Sequence, residues 1–210
     1  MRRINTFFKS FAIVAALLLC VNDASAGSFS RVVIDAGHGD QDVGGNHNRV
    51  YEKHLALDTA LRLEYYLKKK GIRTTMTRKS DVFISLAKRA SIGNRYRNSI
   101  FVSVHYNWTW KKSVSGIETF YYSGRSKPLA QYIQDGMLRK VSAVNRKAKY
   151  GSYYVLRHTK NPAVLVECGF VSNYNERTRM KKGSWRQRVA EGIGNGIIKY
   201  QSARKSGKVH

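Results

Sequence analysis

His38, Glu52, His105 and Glu167 are the side chains of this 210-residue chain whose types and placement could support catalysis. Two imidazoles and one carboxylate form a three-donor set suited to Zn²⁺, and a fourth position left to water distinguishes a catalytic zinc from a structural one. Glu167 is then the free carboxylate. It closes the apolar run Ala163-Val164-Leu165-Val166, where desolvation raises a carboxyl pKa toward the range of a general base near neutrality. The chemistry implied is that of a metal-held water with a carboxyl general base beside it. Each residue alone also has an ordinary role: a histidine after a glycine turn often only hydrogen-bonds that turn, and Glu52 suits the first turn of a helix.

Positioning such a set requires strand ends and a helix start. Arg31 to Asp35 reads as a strand running into Ala36-Gly37-His38-Gly39, where the glycines force a tight loop. Glu52 to Lys70 carries Ala56, Ala60, Leu63 and Leu67 at helical spacing and stops at Gly71. Ile72 to Thr77 reads as the next strand, Ser85 as the cap of a helix through Leu86 and Ala90, and Ile100 to His105 as a strand buried on both faces. Gly116 to Tyr122 is another strand, and Ser126 opens a helix with Ala130, Ile133, Met137 and Val141. Tyr153 to Leu156 and Ala163 to Val166 read as short strands, and Ser184-Trp185-Arg186-Gln187 as a capping box opening the last helix. The alternation is that of a single α/β domain, a sheet covered by helices with its site at strand ends.

Composition narrows the class. The chain carries 38 Lys+Arg against 13 Asp+Glu, a net charge of +25, yet 42% of its residues are hydrophobic, which excludes a disordered polycation. Arg2, Arg3 and Lys9 precede the apolar stretch Phe11 to Val21 and then Ala24-Ser25-Ala26, the order of a secretory signal peptide over residues 1–26. Its removal takes away three cations and one acid, leaves +23, and leaves Cys168 as the sole cysteine. Cys168 has no dyad partner in view and reads as a small buried thiol. His47, His54 and His158 read as surface or substrate-facing. The domain spans 27–201, with a polar, basic, frayed tail over 202–210.

Taken together and in order, Val33-Ile34-Asp35-Ala36-Gly37-His38-Gly39, Tyr51-Glu52-Lys53, Ser103-Val104-His105-Tyr106-Asn107 and Pro162-Ala163-Val164-Leu165-Val166-Glu167-Cys168-Gly169-Phe170-Val171-Ser172-Asn173 resemble the zinc-dependent N-acetylmuramoyl-L-alanine amidases of the type 3 family. The likeness extends from Arg31 to Tyr200 and includes Ser115 to Thr119 and Tyr153 to Arg157. It implies a twisted mixed sheet flanked by helices, zinc ligands at His38, Glu52 and His105, and Glu167 as the catalytic carboxylate. The substrate implied is peptidoglycan or its muropeptides, cut between N-acetylmuramic acid and the L-alanine of the stem peptide. Asn107 and Arg157 lie beside motif positions and are candidate substrate contacts. Asp40, Tyr106 and Cys168 depart from the family pattern and are expected to reshape the pocket rim.

Two other functional classes remain open from the residues. A zinc peptidase or carboxypeptidase acting on stem peptides would use the same donors, and a secreted polyanion binder would use only the charge. The ordered metal-capable set argues against the binder, and no nucleic-acid partner is expected. Lys111, Lys112, Arg125, Lys127, Arg139, Lys140, Arg146, Lys147 and Lys149 are spread over the chain with Arg204, Lys205 and Lys208, as befits electrostatic retention on anionic envelope polymers after export. Sixty-two positions separate His105 from Glu167, and they are filled by recognisable elements, so no plugging segment and no activator protein is expected.

Overall fold

The computed structural model describes residues 28–209; the expected signal peptide lies outside them. A six-stranded mixed sheet forms the centre, in the order β4-β1-β5-β8-β6-β7. Its strands are β1 (Arg31–Ala36), β4 (Thr74–Met76), β5 (Ser99–Asn107), β6 (Ile117–Tyr121), β7 (Asn145–Tyr150) and β8 (Ala163–Phe170), while β2 (Asn46–His47) and β3 (Val50–Tyr51) form a separate small hairpin. β4, β1, β5 and β8 run parallel, β6 opposes β8, and β7 runs parallel to β6. The helices are α1 (Glu52–Lys69), α2 (Leu86–Asn94), α3 (Lys127–Leu138), α4 (Tyr154–His158), α5 (Tyr174–Met180) and α6 (Gly183–Lys205).

Strand alternation sorts the side chains onto two faces. Ile34, Val102, Val104, Val164, Val166 and Cys168 join the larger core beneath α1, α3 and α6. Val33, Phe101, Ala163 and Leu165 point the other way, into a smaller core with Ile92 of α2 and Val155 and Leu156 of α4. Asp35, Ser103, His105 and Glu167 share the parity of this second face, at or near the carboxyl ends of three adjacent parallel strands. The shorter helices leave that end open.

Several boundaries differ from the sequence expectation. Tyr153 to Leu156 belongs to α4 and its N-cap, not to a strand: Thr159 Oγ1 donates to the Val155 carbonyl at 2.6 Å, and Tyr154 stacks on His158 one turn later. The last helix starts at Gly183 with Lys182 as its N-cap and no side-chain cap, so the box expected at Ser184 does not form. It continues through Lys205 with Ala203 buried, so much of the expected tail is ordered helix. Helix α3 stops at Leu138, yet Val141 still reaches the core. Ser85 caps α2 as expected, accepting from the Lys88 backbone N–H.

Candidate metal and catalytic site

His38 follows β1 in the left-handed region at φ 59°, a costly conformation for a side-chain-bearing residue. Two buried arginines hold it there. Arg78 donates to the carbonyls of Ala36, Gly37, Lys53 and Ser80, and Arg89 donates to those of Ala36, His38 and Ile84. Arg89 also pairs with buried Asp35 at 2.8 Å. The Asp35 carboxylate accepts from Thr77 and Ser103 as well. Burial pushes its pKa up, but Arg89 and these hydroxyls prevail and hold it below the ordinary carboxylate value. The fork geometry of guanidinium lets one side chain serve several acceptors.

Glu52, the first residue of α1, meets both histidines. Its Oε1 lies 3.1 Å from His38 Nε2 and 2.8 Å from His105 Nδ1, and one donor atom from each residue lies within 4.8 Å of the others. The outer atoms are already engaged. His38 Nδ1 lies 2.8 Å from Asp42 Oδ1, and Glu52 Oε2 accepts from the Gly45 backbone N–H, while the inner oxygen Oε1 also accepts from the Tyr106 backbone N–H. Inner atoms that converge while outer atoms are oriented by partners are what a metal site requires. Two imidazoles with one carboxylate and room for further donors fit zinc. Without a cation, burial pushes Glu52 up, but hydrogen bonds from His105 and His38 outweigh it and hold the carboxyl at about 2.

Glycines clear the space. A β-carbon at Gly37 would fall 2.3 Å from the His105 ring, and one at Gly44 would fall 2.6 Å from both Glu52 Oε2 and the His38 ring.

Glu167 stands on β8 in register with His105 on β5, on strands about 4.8 Å apart. It is buried, and its Oε2 has no partner among the described residues. Burial, then the charges of Glu52 and Glu118, pushes its pKa well above the ordinary value. A carboxylate so placed binds a proton readily. The four residues line one cavity of about 290 Å³, with Trp108, Tyr153 and Val155 among its walls. Burial, then Glu167 and Glu118, pushes the Tyr153 hydroxyl up to about 12, so it remains a donor at neutral pH.

Asn107 also lines the cavity, but its amide is engaged: Nδ2 donates to Glu118 at 2.9 Å and Oδ1 accepts from the Trp108 N–H. Arg157 is exposed on α4 and is not part of the cavity wall. His47, His54 and His158 stay outside it. The departures from the family pattern leave the donor set intact. Asp40 takes a left-handed φ of 52°, with its N–H on Asp81 and its carbonyl on Lys53. The Tyr106 ring is buried beneath α1 with its hydroxyl 2.8 Å from Thr59, and Cys168 lies in the larger core.

Residue types and spacing alone do not single out Asp42, Arg78, Arg89 or Glu118. A carboxylate four residues after a candidate histidine is the local signal for Asp42, and the family-like segment Ser115 to Thr119 is that for Glu118; Arg78 and Arg89 reach the site only through the fold.

Residues 32–199 match a family described as N-acetylmuramoyl-L-alanine amidase. The chain is 32% identical to the N-acetylmuramoyl-L-alanine amidase LytC of Bacillus subtilis, over 80% of this chain and 35% of LytC, so it spans about a third of that relative's length. Among solved structures, the catalytic domain of CwlV, an N-acetylmuramoyl-L-alanine amidase from Bacillus (Paenibacillus) polymyxa var. colistinus, is 34% identical. It superposes with a TM-score of 0.80, covering 82% of this chain and 98% of that one. The CwlD amidase of Clostridioides difficile, solved in complex with the GerS lipoprotein, is 29% identical with a TM-score of 0.80, covering 83% and 99%.

Proposed function

The chain belongs to the N-acetylmuramoyl-L-alanine amidase family, and on that footing we propose that it hydrolyses the amide joining N-acetylmuramic acid to the L-alanine of the peptidoglycan stem peptide. The observation that supports this reading is the convergence of His38, Glu52 and His105 in one cavity with the partnerless carboxyl oxygen of Glu167.

His38, Glu52 and His105 would hold a zinc ion, which when bound supplies Lewis acidity for the scissile carbonyl and lowers the pKa of water. Glu167 takes the proton of the attacking water and returns it to the departing alanine nitrogen, so one carboxyl serves as base and then acid. Its burial favours the protonated form needed for the second half. Tyr153 offers a hydroxyl donor at the cavity wall. Asn107 fixes the Trp108 backbone beside the site. Arg157 stands beyond the cavity wall, where stem-peptide carboxylates extend.

The protein acts after export, in the envelope, with residues 1–26 as the signal and the dispersed cations holding it on anionic polymers. The GerS partnership is a property of CwlD; this chain is proposed to work without an activator.

Purified muropeptides incubated with the zinc-loaded protein test the reaction. Mass spectrometry is expected to show a free stem peptide beginning with L-alanine. A shortened stem still attached to sugar would assign a peptidase instead, and no product with retained polyanion binding would assign a binder.

A further inference from the structure

Helices α2 and α4 bound an open trough that adjoins the catalytic cavity. Leu86 of α2 and Tyr154 of α4 belong to the cavity wall; Ala87, the next residue of α2, and Tyr154 again belong to the wall of the trough. The two spaces therefore share a side chain and meet across the first turn of α2. From there the trough follows α2 past Ser91 to Arg95, the C-cap of that helix, with His158 and Lys160 also in its wall. Its volume is about 480 Å³, against about 290 Å³ for the cavity.

The trough is braced by polar contacts that leave its charges free. Asn94 ties α2 to the turn after α4: its Nδ2 donates to the His158 carbonyl and its Oδ1 accepts from the Lys160 backbone N–H, both at 2.8 Å. The His158 ring stacks on Tyr154 at 3.9 Å between centroids, and its Nδ1 donates to the Tyr154 carbonyl at 2.9 Å. None of these bonds uses the Arg95 guanidinium or the Lys160 ammonium. No Asp or Glu lines the trough, and among the described residues Arg95, Arg157 and Lys160 enter no ion pair, whereas Arg146 and Lys149 are both committed to Glu118.

Charge selects which half of the substrate enters. The two halves meet at the scissile amide: the sugar half has its acid group consumed in that amide, while the peptide half keeps free carboxylates. A carboxylate-free trough with unpaired cations beside the reacting centre complements the peptide half, because hydrogen bonds between ionised partners are stronger than neutral ones and complementary charge fixes register. We propose that the trough between α2 and α4 is the stem-peptide subsite, in which Arg95 and Lys160 bind stem carboxylates and Tyr154 stands at the passage from the cavity. This rests on the amidase reading above and deepens it, since it assigns the protein a preference for stems with free carboxylates over amidated ones.

The test compares two substrates, an N-acetylmuramoyl peptide with free stem carboxylates and the same compound with those carboxylates converted to amides. In the double variant Arg95→Gln/Lys160→Gln, KM on the first is expected to rise about tenfold relative to KM on the second, and Arg95→Lys/Lys160→Arg, which keeps the charges, is expected to restore most of the preference. Lys69→Gln/Lys70→Gln removes the same charge about 25 Å along α1 from Glu52 and is expected to leave the ratio unchanged. Independently of turnover, an NMR titration of the full mature chain with the free carboxylate-bearing stem peptide is expected to shift the amides of Ala87, Ser91 and Lys160, and the glutamine pair to lose saturable binding. A wild type that does not distinguish the two substrates, an equal KM rise on both in the glutamine pair, or an equal change of the ratio in the α1 variant would overturn the subsite. If the wild type binds the peptide in the trough but cleaves neither substrate, the amidase reading fails while the trough stands as an acidic-peptide site.

Discussion

Arg89 holds His38 by its backbone: one guanidinium nitrogen donates to the His38 carbonyl at 2.6 Å while another pairs with Asp35 at 2.8 Å. The left-handed turn that aims the imidazole therefore depends on a residue 51 positions later. Replacing Arg89 by Met leaves the buried Asp35 carboxylate without its counter-ion, which costs about 3–5 kcal/mol. Urea denaturation of metal-free protein is expected to show that loss. A variant within about 0.5 kcal/mol of wild type, the range of a neutral surface change, would show that the clamp does not support the fold.

The same pair sets an acid limit. Because the folded-state pKa of Asp35 is depressed from 3.8, its contribution to stability is fully present above that value and is lost as pH falls toward the lower folded pKa. Wild-type stability should decline on acidification below pH 3.8 more steeply than that of Asp35→Asn, which has no carboxylate to protonate and starts less stable. Parallel curves from denaturant melts would remove Asp35 from the acid transition.

Metal content separates the four central residues. His38→Ala, Glu52→Ala or His105→Ala is expected to lose zinc and activity together, whereas Glu167→Gln keeps near-stoichiometric zinc and loses turnover. Elemental analysis beside muropeptide assays checks both halves. Release of zinc by Glu167→Gln would make that carboxyl a ligand.

Asp42 reaches the metal position through His38. Its carboxylate lies 2.8 Å from Nδ1, which leaves Nε2 to face Glu52. Asp42→Asn should weaken zinc binding by about 10–100-fold, measured by chelator competition, with the fold intact because Asp42 is partly exposed. Unaltered affinity would leave Asp42 a turn residue only.

These partners show where sequence patterning reaches and where it stops. Strand β1, helix α1 and the strand ends carrying His105 and Glu167 are legible because apolar runs and helical spacing mark them directly. Strand β7 is not: Asn-Arg-Lys-Ala-Lys-Tyr has no apolar alternation, since it forms a polar sheet edge, and lysines suit such an edge. Tyr153 to Leu156 is too short for periodicity to separate helix from strand, and the capping contact from Thr159 decides it. The donors themselves were readable from type and order, whereas Arg78 and Arg89 look like surface cations in the sequence. Their burial depends on backbone carbonyls that only the folded loop presents.

The last expectation concerns control. An autoinhibited enzyme needs an element that closes the cavity and can leave it, with the closed state favoured by a few kcal/mol. The 62 positions from His105 to Glu167 contain β6, α3, β7 and α4. Helix α3 packs its apolar residues into the larger core, on the far side of the sheet from the cavity. Helix α4 belongs to the smaller core beside the site, and its Val155 is part of the cavity wall. Displacing either would expose core surface, so neither serves as a removable plug. The zinc-loaded mature domain should therefore turn over muropeptides alone, and envelope extract at fixed salt should raise its rate by less than about tenfold, or 1.4 kcal/mol of barrier. A larger rise from negligible basal activity would reveal an inhibitory element. The segment from Trp108 to Val114, where Trp110 lies 85% exposed against Trp108 at the cavity wall, is then the first to delete.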